Sequence, residues 1–330
     1  MAERVLVTGG AGYIGSVVTA QLLKKGYDVV VLDDLSHGHK AAVSAGSRFL
    51  VGDSGDRTAL DRLFAESRFD AVMHFAAFIE AGESMQLPEK YFRNNSMNAL
   101  TLLETVLAHK VRRFVFSSTA ALYGTPERTP IEESDPLRPT NAYGESKLIV
   151  EQMLSWLHRI HGLRYSCLRY FNAAGAWQGL GEDHRPESHL IPIALEVALG
   201  KRKEVAIYGT DYPTHDGSCV RDYVHVGDLA SAHLLVLEAL KDKDKLIYNL
   251  GNGRGFSVRE VIDTVRRVTG HPIPAQESPR RPGDPAVLVA SSEKIKRELH
   301  WEPQYPDLDS IVSTAWEWRK AQPAGYGAQE

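Results

Sequence analysis

Apolar segments alternate with amphipathic ones along the first half of the chain. The pattern predicts strands over 4–8, 28–32, 47–53, 70–77, 113–118 and 164–170, and helices over 17–25, 60–66, 94–109 and 143–161. The strands are apolar along almost their whole length, which is typical of a parallel sheet covered by helices on both faces. The sequence therefore predicts an α/β fold built on a doubly wound parallel sheet.

A glycine-rich turn joins the first strand to the first helix. The segment 9–15 reads Gly-Gly-Ala-Gly-Tyr-Ile-Gly. A strand, a glycine turn and a helix in succession are typical of a Rossmann-type dinucleotide site, where the backbone approaches a diphosphate at the helix N-terminus. The second strand ends at Asp33 and Asp34, whose carboxylates can bind a ribose 2′-hydroxyl and would repel a 2′-phosphate. Together these features predict NAD rather than NADP.

The chain changes character near residue 172. Beyond it the sequence is richer in Pro and Gly, and it predicts helices over 257–269 and 292–299. We expect residues 1–172 to form the NAD-binding Rossmann-type domain and residues 173–330 to form mainly a smaller α/β substrate-binding domain, with a return to the first domain around 219–251. Residues 322–330 are small and polar, so a frayed tail is expected.

Tyr143 and Lys147 are four residues apart in a predicted helix and therefore share one of its faces. A cation beside a phenol favours the phenolate, and lowering the phenol pKa by about 3 units takes roughly 4 kcal/mol. The pair indicates a general base, although the same spacing also occurs on solvated helix faces. Ser117 and Thr119 follow a buried strand, where a hydroxyl could bind a substrate alcohol or the Tyr143 phenol.

The same helix is apolar around roughly half of its circumference. Val150 and Leu154 lie on the flank next to Tyr143, whereas Trp156 and Ile160 lie on the other flank. The second flank would meet a partner helix, or the whole surface would form a single wide core stripe. The sequence leaves both alternatives open.

Composition narrows the remaining functions. The 330 residues carry a net charge of -4, which gives no reason to expect nucleic-acid binding. Cys167 and Cys219 lack the spacing of metal ligands and predict a reducing compartment, the cytoplasm. The sequence contains no apolar stretch of about 20 residues, so it predicts no membrane span. His37 and His39 have a chelating spacing, but they fall in a polar loop, where we expect exposed side chains and no metal.

Several motifs resemble those of a known superfamily. The turn at 9–15, the loop at 117–124 and the pair Tyr143/Lys147 are similar to the extended short-chain dehydrogenase/reductases. Four further segments resemble, more narrowly, the UDP-glucose 4-epimerase family: 169–172, 209–214, 217–226 and 280–284. The resemblance runs from Arg4 to about Trp318.

The resemblance implies an NAD-dependent isomerase of galactose metabolism that interconverts UDP-galactose and UDP-glucose, and it implies a homodimer. Tyr143 would take the proton of the sugar 4-hydroxyl while NAD takes the C4 hydride. The 4-keto sugar would then turn over and be reduced on its other face. Thr119 would position the hydroxyl, and Lys147 would lower the Tyr143 pKa and hold the nicotinamide ribose.

Binding roles follow from the resemblance residue by residue. The implied cofactor contacts are Gly9, Gly12, Tyr13, Ile14, Gly15, Asp33, Asp34, Asp53, Ser54, Phe75, Ala76, Ala77, Asn94, Ser117, Tyr143, Lys147 and Tyr170. The implied substrate contacts are Thr119, Tyr143, Asn172, His189, Leu190, Ala206, Tyr208, Arg221, Arg281, Asp284 and Leu288. Arg221 and Arg281 would bind phosphate and Asp284 a ribose, while Ala206 and Tyr208 would frame the uracil. Ion pairs with a neighbouring Asp are the alternative for both arginines.

Three positions depart from part of the family. His189 stands where some members carry an Asn, and Ile79 stands where some carry a cofactor-contacting Lys. Leu288 stands where some carry a Tyr that narrows the pocket beside the sugar C2 substituent. The smaller side chain predicts that UDP-GlcNAc and UDP-GalNAc are tolerated, unless neighbouring residues refill the space.

Other functions on the same fold match the sequence less well. A nucleotide-sugar 4,6-dehydratase would carry an acidic pair after the catalytic Thr, where this chain has Ala120 and Ala121. A UDP-glucuronate decarboxylase or epimerase would need a dedicated cation that the sequence does not identify. A non-catalytic NAD(H)-sensing protein would be expected to lack Tyr143 or Lys147.

Overall fold

The structure, a computed structural model, describes residues 2–281 and 284–327. Its strands are β1 (Arg4–Thr8), β2 (Asp28–Asp33), β3 (Arg48–Val51), β4 (Ala71–His74), β5 (Arg113–Thr119), β6 (Arg164–Tyr170), β7 (Asn172–Ala174), β8 (Val205–Tyr208), β9 (Val220–His225), β10 (Lys245–Leu250), β11 (Gly255–Ser257), β12 (Ala275–Ser278) and β13 (Val287–Leu288). Seven of them form the main sheet, in the order β10-β6-β5-β4-β1-β2-β3. All neighbours in it are parallel, which confirms the predicted sheet.

Helices cover both faces of the main sheet. The helices are α1 (Tyr13–Lys24), α2 (Arg57–Glu66), α3 (Ala81–Ser84), α4 (Pro88–Tyr91), α5 (Asn98–Ala108), α6 (Ala142–His161), α7 (Leu190–Ala198), α8 (Val226–Ala239), α9 (Val258–Thr269), α10 (Glu293–Leu299) and α11 (Leu308–Ala321). Alternate residues of a strand point to opposite faces. Val5 and Val7 of β1 therefore join a core with α1 and α8, whereas Leu6 joins a second core with α2, α5 and α6.

The second half of the chain builds a third core from α7, α9 and α11. Two small sheets accompany these helices: β9 pairs with β7, β11 and β13, and β8 pairs with β12. α8 and β10 lie with the first half instead, since β10 pairs in parallel with β6. The division of domains at residue 172 stays a prediction.

Two helices of the first half differ most from their predicted form. α1 begins at Tyr13 rather than at residue 17, because the glycine turn leads directly into the helix with Gly12 as its N-cap. The predicted helix over 94–109 begins as a π-helical segment, Phe92–Met97, and only then continues as α5. Local hydrophobic periodicity does not distinguish these helix types.

The end of the chain is better ordered than predicted. The frayed tail is wrong for residues 322–327, because the Tyr326 ring packs against Trp318 and the Tyr326 N–H donates to Asp183 at 3.0 Å. Residues 328–330 lie outside the described residues, as do positions 282 and 283 of the loop motif. Among the described helices, none combines the length and apolar character needed to cross a bilayer. The cytoplasmic location stays a prediction.

A buried ion pair ties α6 to the sheet. Nη2 and Nε of Arg169 in β6 donate to the two carboxylate oxygens of Glu151 in α6, at 2.6 and 3.0 Å. Ser118 in β5 donates its hydroxyl to the same carboxylate at 2.6 Å. Although burial opposes it, Glu151 raises the pKa of the Arg169 guanidinium. The two-point contact fixes the helix against two strands at once.

Arg169→Met should lower the free energy of unfolding by about 3–5 kcal/mol, because the Glu151 carboxylate is left buried without a counter-ion. The double variant Arg169→Met/Glu151→Leu should recover much of this loss, and urea titration measures both. The matched control is Arg57→Met, which removes two exposed pairs, with Asp61 and with Glu104, and should cost less than about 1 kcal/mol. A loss below about 1 kcal/mol in Arg169→Met would contradict the structural role of the pair.

Candidate active site

The glycine turn forms a tightly packed cradle at the start of α1. Gly9 has a φ of +73°, and a Cβ there would lie 2.4 Å from the backbone N of Ala76. A Cβ on Gly15 would lie 2.2 Å from the Gly9 carbonyl oxygen. No side chain caps α1 and its first turn holds no acidic residue, so its first N–H groups are available to an anion. The cradle fits the diphosphate of a dinucleotide.

Asp33 stands at the end of β2 beside this turn. Its Oδ2 accepts the N–H of Ala11 at 2.9 Å and its Oδ1 accepts the N–H of Leu35 at 2.9 Å. Burial raises the pKa of the Asp33 carboxyl, and the two backbone hydrogen bonds oppose that shift. The carboxylate is held in one orientation and keeps lone pairs for a ribose hydroxyl.

All predicted cofactor residues line one cleft at the carboxyl ends of the main strands. They are Gly9, Gly12, Tyr13, Ile14, Gly15, Asp33, Asp34, Asp53, Ser54, Phe75, Ala76, Ala77, Asn94, Ser117, Tyr143, Lys147 and Tyr170. The substrate candidates Thr119, Asn172 and His189 line the same cleft. The structure thus brings the turn, the ribose carboxylate and the Tyr–Lys pair together, while their contacts with a cofactor stay predictions.

Tyr143 stands on the first turn of α6, within hydrogen-bonding reach of Thr119 at the end of β5. Burial raises the pKa of the Tyr143 phenol, the hydrogen bond with Thr119 opposes the shift, and the charge of Glu80 adds to it. The expectation that Lys147 and a bound cofactor together lower this pKa stays a prediction. Burial lowers the pKa of Lys147 itself to about 7.

The position of Lys147 is fixed by the end of β5. Its Nζ donates to the Ser117 carbonyl oxygen at 2.9 Å and lies 4.8 Å from the centre of the Phe116 ring. The Ser117 hydroxyl forms a hydrogen bond with the Tyr170 phenol. The ammonium group and two hydroxyl groups therefore share one wall of the cleft.

Polar side chains hold the first turn of α6 in place. Asn141 caps the helix by accepting a backbone N–H at 2.8 Å, and the Ser84 hydroxyl accepts the N–H of Tyr143 at 3.1 Å. Ser146 donates to the Tyr143 carbonyl oxygen, and Asn95 from the π-helical segment donates to the Ser146 hydroxyl at 3.0 Å. These contacts determine where the phenol stands.

The remaining substrate candidates form a second group on the strands of the second half. Arg221 in β9 donates to Asp284 Oδ1 at 3.0 Å, and Arg281 Nε lies 3.4 Å from Asp284 Oδ2. The Arg281 guanidinium also lies 4.5 Å from the centre of the Tyr208 ring in β8. Leu288 in β13 pairs in register with Arg221. The ion pairs do not exclude phosphate binding, since carboxylate and phosphate match the same guanidinium fork.

Asn172 connects the two groups of candidates. It lines the cleft, and its Nδ2 donates to the backbone of β9 at 2.8 Å, one residue beyond Arg221. His189 lines the cleft as the N-cap of α7, whose first residue is Leu190. Leu190 and Ala206 are not among the described residues that line the cleft. The structure does not test the substrate contact of any single residue, so these roles stay predictions.

The cleft also contains residues that the sequence analysis did not identify. They are Leu32, Ser36, Gly38, Gly52, Phe78, Phe171, Ala173, Glu182 and His184. Glu182 lies 2.7 Å from His189; although burial opposes it, this carboxylate raises the pKa of His189 well above its ordinary range. The spacing of Glu182, His184, Glu187 and His189 was the signal in the sequence that could have drawn attention to this corner.

His37 and His39, which follow β2, are less exposed than predicted. His39 is not exposed: its side chain is 8% accessible, its Nε2 lies 2.7 Å from the Asp183 carbonyl oxygen, and its ring stacks on Tyr326. The cause is the tail, which returns across the loop. His37 lines the cleft, 4.0 Å from a carboxylate oxygen of Glu80.

A family model for the NAD dependent epimerase/dehydratase family matches residues 5–251. The chain belongs to this family. Among curated relatives, the UDP-glucose 4-epimerase of Halalkalibacterium halodurans is 56% identical, with 98% of each chain covered. That of Streptomyces lividans is 54% identical, with 99% of each chain covered.

Solved structures agree along the whole chain. A UDP-glucose 4-epimerase crystal structure matches with a TM-score of 0.96 at 49% identity, covering 99% of this chain and 100% of its own. The UDP-glucose 4-epimerase from Bifidobacterium longum in complex with NAD+ and UDP matches with 0.94 at 40% identity, covering 98% and 99%. The UDP-Glc/GlcNAc 4-epimerase from Campylobacter jejuni matches with 0.86 at 43% identity, covering 97% and 100%. The predicted Rossmann-type fold and family resemblance are confirmed.

Proposed function

We propose that this chain is an isomerase that interconverts UDP-galactose and UDP-glucose at sugar C4, with NAD as its cofactor, in galactose metabolism. The joint placement of Thr119, Tyr143 and Lys147 in a cleft that begins at a dinucleotide turn carries the proposal. Near-full-length similarity to UDP-glucose 4-epimerases supports the same activity. Fold alone would not be enough, since many functions share it.

The residues of the cleft fit NAD, which when bound supplies reversible redox chemistry at the sugar C4. The first N–H groups of α1 would bind the diphosphate, and Asp33 would bind the adenosine ribose. Asp53 would face the adenine. Lys147 and Tyr170 would face the nicotinamide half, beside the catalytic phenol. The protein itself then has to place the sugar and move one proton.

Tyr143 is the group that moves the proton. The proton of the sugar 4-hydroxyl passes to the phenolate oxygen of Tyr143 and returns from it in the second half of the reaction, while Thr119 orients the hydroxyl. Because burial raises the pKa of the phenol, the phenolate needs positive charge close by. Lys147 and the ring of an oxidised nicotinamide are the available sources.

Contacts with the nucleotide part of the substrate would leave the sugar free to turn, so that either face can lie against the cofactor. Arg221 and Arg281 would exchange Asp284 for the diphosphate, which leaves the Asp284 carboxylate for a ribose hydroxyl. Ala206 and Tyr208 would frame the uracil. Asn172, His189 and Leu190 would lie near the phosphates. Since binding energy is concentrated on the nucleotide, a 4-keto sugar can turn over without leaving the cleft.

We extend the proposal to UDP-GlcNAc and UDP-GalNAc. Leu288 stands in register with Arg221, on the strand that would face the sugar-phosphate end of the substrate. A leucine occupies less space than the tyrosine of some relatives and leaves volume for an N-acetyl group. One neighbour of similar structure is a UDP-Glc/GlcNAc 4-epimerase.

We also propose that two copies associate through α6. Val150 and Leu154 are buried against the sheet, whereas Trp156 and Ile160 are 60% and 68% exposed. This rules out a single wide core stripe on the helix. Exposed apolar side chains of this size mark an interface, and a second copy can offer the same face across a two-fold axis.

Purified protein incubated with UDP-galactose, without added NAD, should form UDP-glucose, measured by separating the sugar nucleotides. Tyr143→Phe should keep NAD and UDP binding but reduce turnover by about 10²- to 10⁴-fold, the usual share of acid–base catalysis. Tyr27→Phe, outside the cleft, is the matched control. If no UDP-glucose forms even after NAD is supplied, the substrate must be another nucleotide sugar. Near-normal turnover in Tyr143→Phe would contradict the role of Tyr143 in proton transfer.

UDP-GalNAc should be converted by the wild-type chain in the same assay. Leu288→Tyr should lower kcat/KM for UDP-GalNAc by about 10- to 200-fold through steric exclusion, while kcat/KM for UDP-galactose changes little. Leu288→Met, of similar volume, is the control and should keep both activities. Conversion of UDP-galactose without any conversion of UDP-GalNAc would contradict the proposal that N-acetylated substrates are accepted.

Light scattering coupled to size exclusion should give the mass of two chains for the wild type. Trp156→Glu should shift the population toward one chain, because it places a charge in an apolar interface. Val51→Glu is the control, since Val51 is also 66% exposed but lies on β3. A monomeric wild type at micromolar concentration would contradict the proposed dimer.

A further inference from the structure

Two glutamates and two histidines converge in the loop between β7 and α7. Glu182, His184, Glu187 and His189 each offer one ligand atom, and the four atoms lie within 4.8 Å of one another. His189 Nδ1 is 2.7 Å from Glu182 Oε1 and 3.2 Å from Glu187 Oε1. His184 Nδ1 is 3.1 Å from Glu182 Oε1. Glu182, His184 and His189 line one corner of the cleft.

Two buried atoms of this cluster have no hydrogen-bond partner among residues 2–281 and 284–327. One is Oε2 of Glu187, whose side chain is 2% exposed. The other is Nδ1 of His184, which is close to Glu182 Oε1 but not aligned for a hydrogen bond with it. Buried polar atoms without partners are uncommon, and these two point to a missing ligand.

We propose that Glu182, His184, Glu187 and His189 bind one divalent transition-metal ion of the zinc class. Imidazole and carboxylate together suit Zn²⁺ and Co²⁺, whereas Mg²⁺ and Ca²⁺ prefer oxygen ligands alone. With bonds of about 2.0–2.1 Å, tetrahedral ligand atoms are about 3.3 Å apart. Two of the short separations, 3.1 and 3.2 Å, are near this value, and the third, 2.7 Å between His189 and Glu182, would have to lengthen. The wider ones can close by rotation of His189, whose side chain is 39% exposed.

The loop that carries the ligands is held by contacts that the ligands do not supply. Asp183 lies between the first two ligands, and its carboxylate lies 3.4 Å from Arg319 and accepts the N–H of Tyr326 at 3.0 Å. The Asp183 carbonyl oxygen lies 2.7 Å from His39 Nε2. A site whose backbone is fixed in this way needs little rearrangement to bind an ion. The ion would also neutralise two buried carboxylates.

The proposed site lies beyond the epimerase activity and does not depend on it. The His184 ring meets the Tyr13 ring edge-on, with centroids 6.3 Å apart, so the ion would link the glycine turn to the start of α7. It would stabilise a wall of the cleft and take no part in proton transfer at Tyr143. It would also present positive charge to the cleft where the family resemblance assigns His189 to phosphate.

The test uses the full chain produced without a polyhistidine tag. Elemental analysis after size exclusion should find about one zinc-class ion per chain. Protein treated with a chelator and titrated with Co²⁺ should take up one equivalent and develop the intense visible absorption of a tetrahedral ion. Zn²⁺ should raise the melting temperature of the treated protein.

Glu187→Gln and His184→Asn conserve side-chain size and should each weaken Co²⁺ binding by at least about tenfold. His215→Asn is the matched control, since His215 is an exposed histidine beside Asp216 and Glu260. The proposal is overturned by a wild-type chain that takes up no stoichiometric Co²⁺, by the weak spectrum of an octahedral ion, or by wild-type affinity in His184→Asn. If a variant does not fold, the Co²⁺ titration of the wild-type chain still tests the proposal.

Discussion

The buried bond between Arg169 and Glu151 is the constraint on which the site depends. α6 carries Tyr143, but nothing within the helix sets its height or rotation against the sheet. Glu151 fixes the middle of the helix, because it accepts hydrogen bonds from Arg169 in β6 and from Ser118 in β5, while Asn141 and Ser84 hold the first turn. Thr119 follows Ser118 directly, so the same bond fixes its hydroxyl relative to the phenol. Since the charges are shielded from water, a small displacement of the helix is costly.

The parts of the site that could be predicted from the sequence are those that a local backbone requirement dictates. Gly9 and Gly15 must be glycines because a Cβ on either would overlap the backbone, and a motif records that requirement directly. Asp33 and Ser117 stand at strand ends, and parallel strands bring their carboxyl ends to one edge of the sheet. Lys147 shares the face of its helix partner through spacing alone. Each of these inferences needs only a few consecutive residues.

Contacts between distant segments decided what the sequence did not predict. His39 is buried because Tyr326, near the other end of the chain, stacks on it. Arg221 meets Asp284 because β13 pairs with β9, and no spacing rule gives that register. The pKa of Tyr143 rises because the whole cleft removes water from the phenol. Burial of this kind is a property of the assembled fold, so the i,i+4 spacing of Tyr143 and Lys147 does not predict it.

The two central groups of the site are both driven toward their neutral forms. Burial raises the pKa of Tyr143 and lowers the pKa of Lys147 to about 7. The same removal of water strengthens the effect of any positive charge brought close to them. We infer that positive charge from Lys147 and from an oxidised nicotinamide together favours the ionised phenol. Without such a charge the Tyr143 phenolate would be a buried anion, and burial disfavours that state.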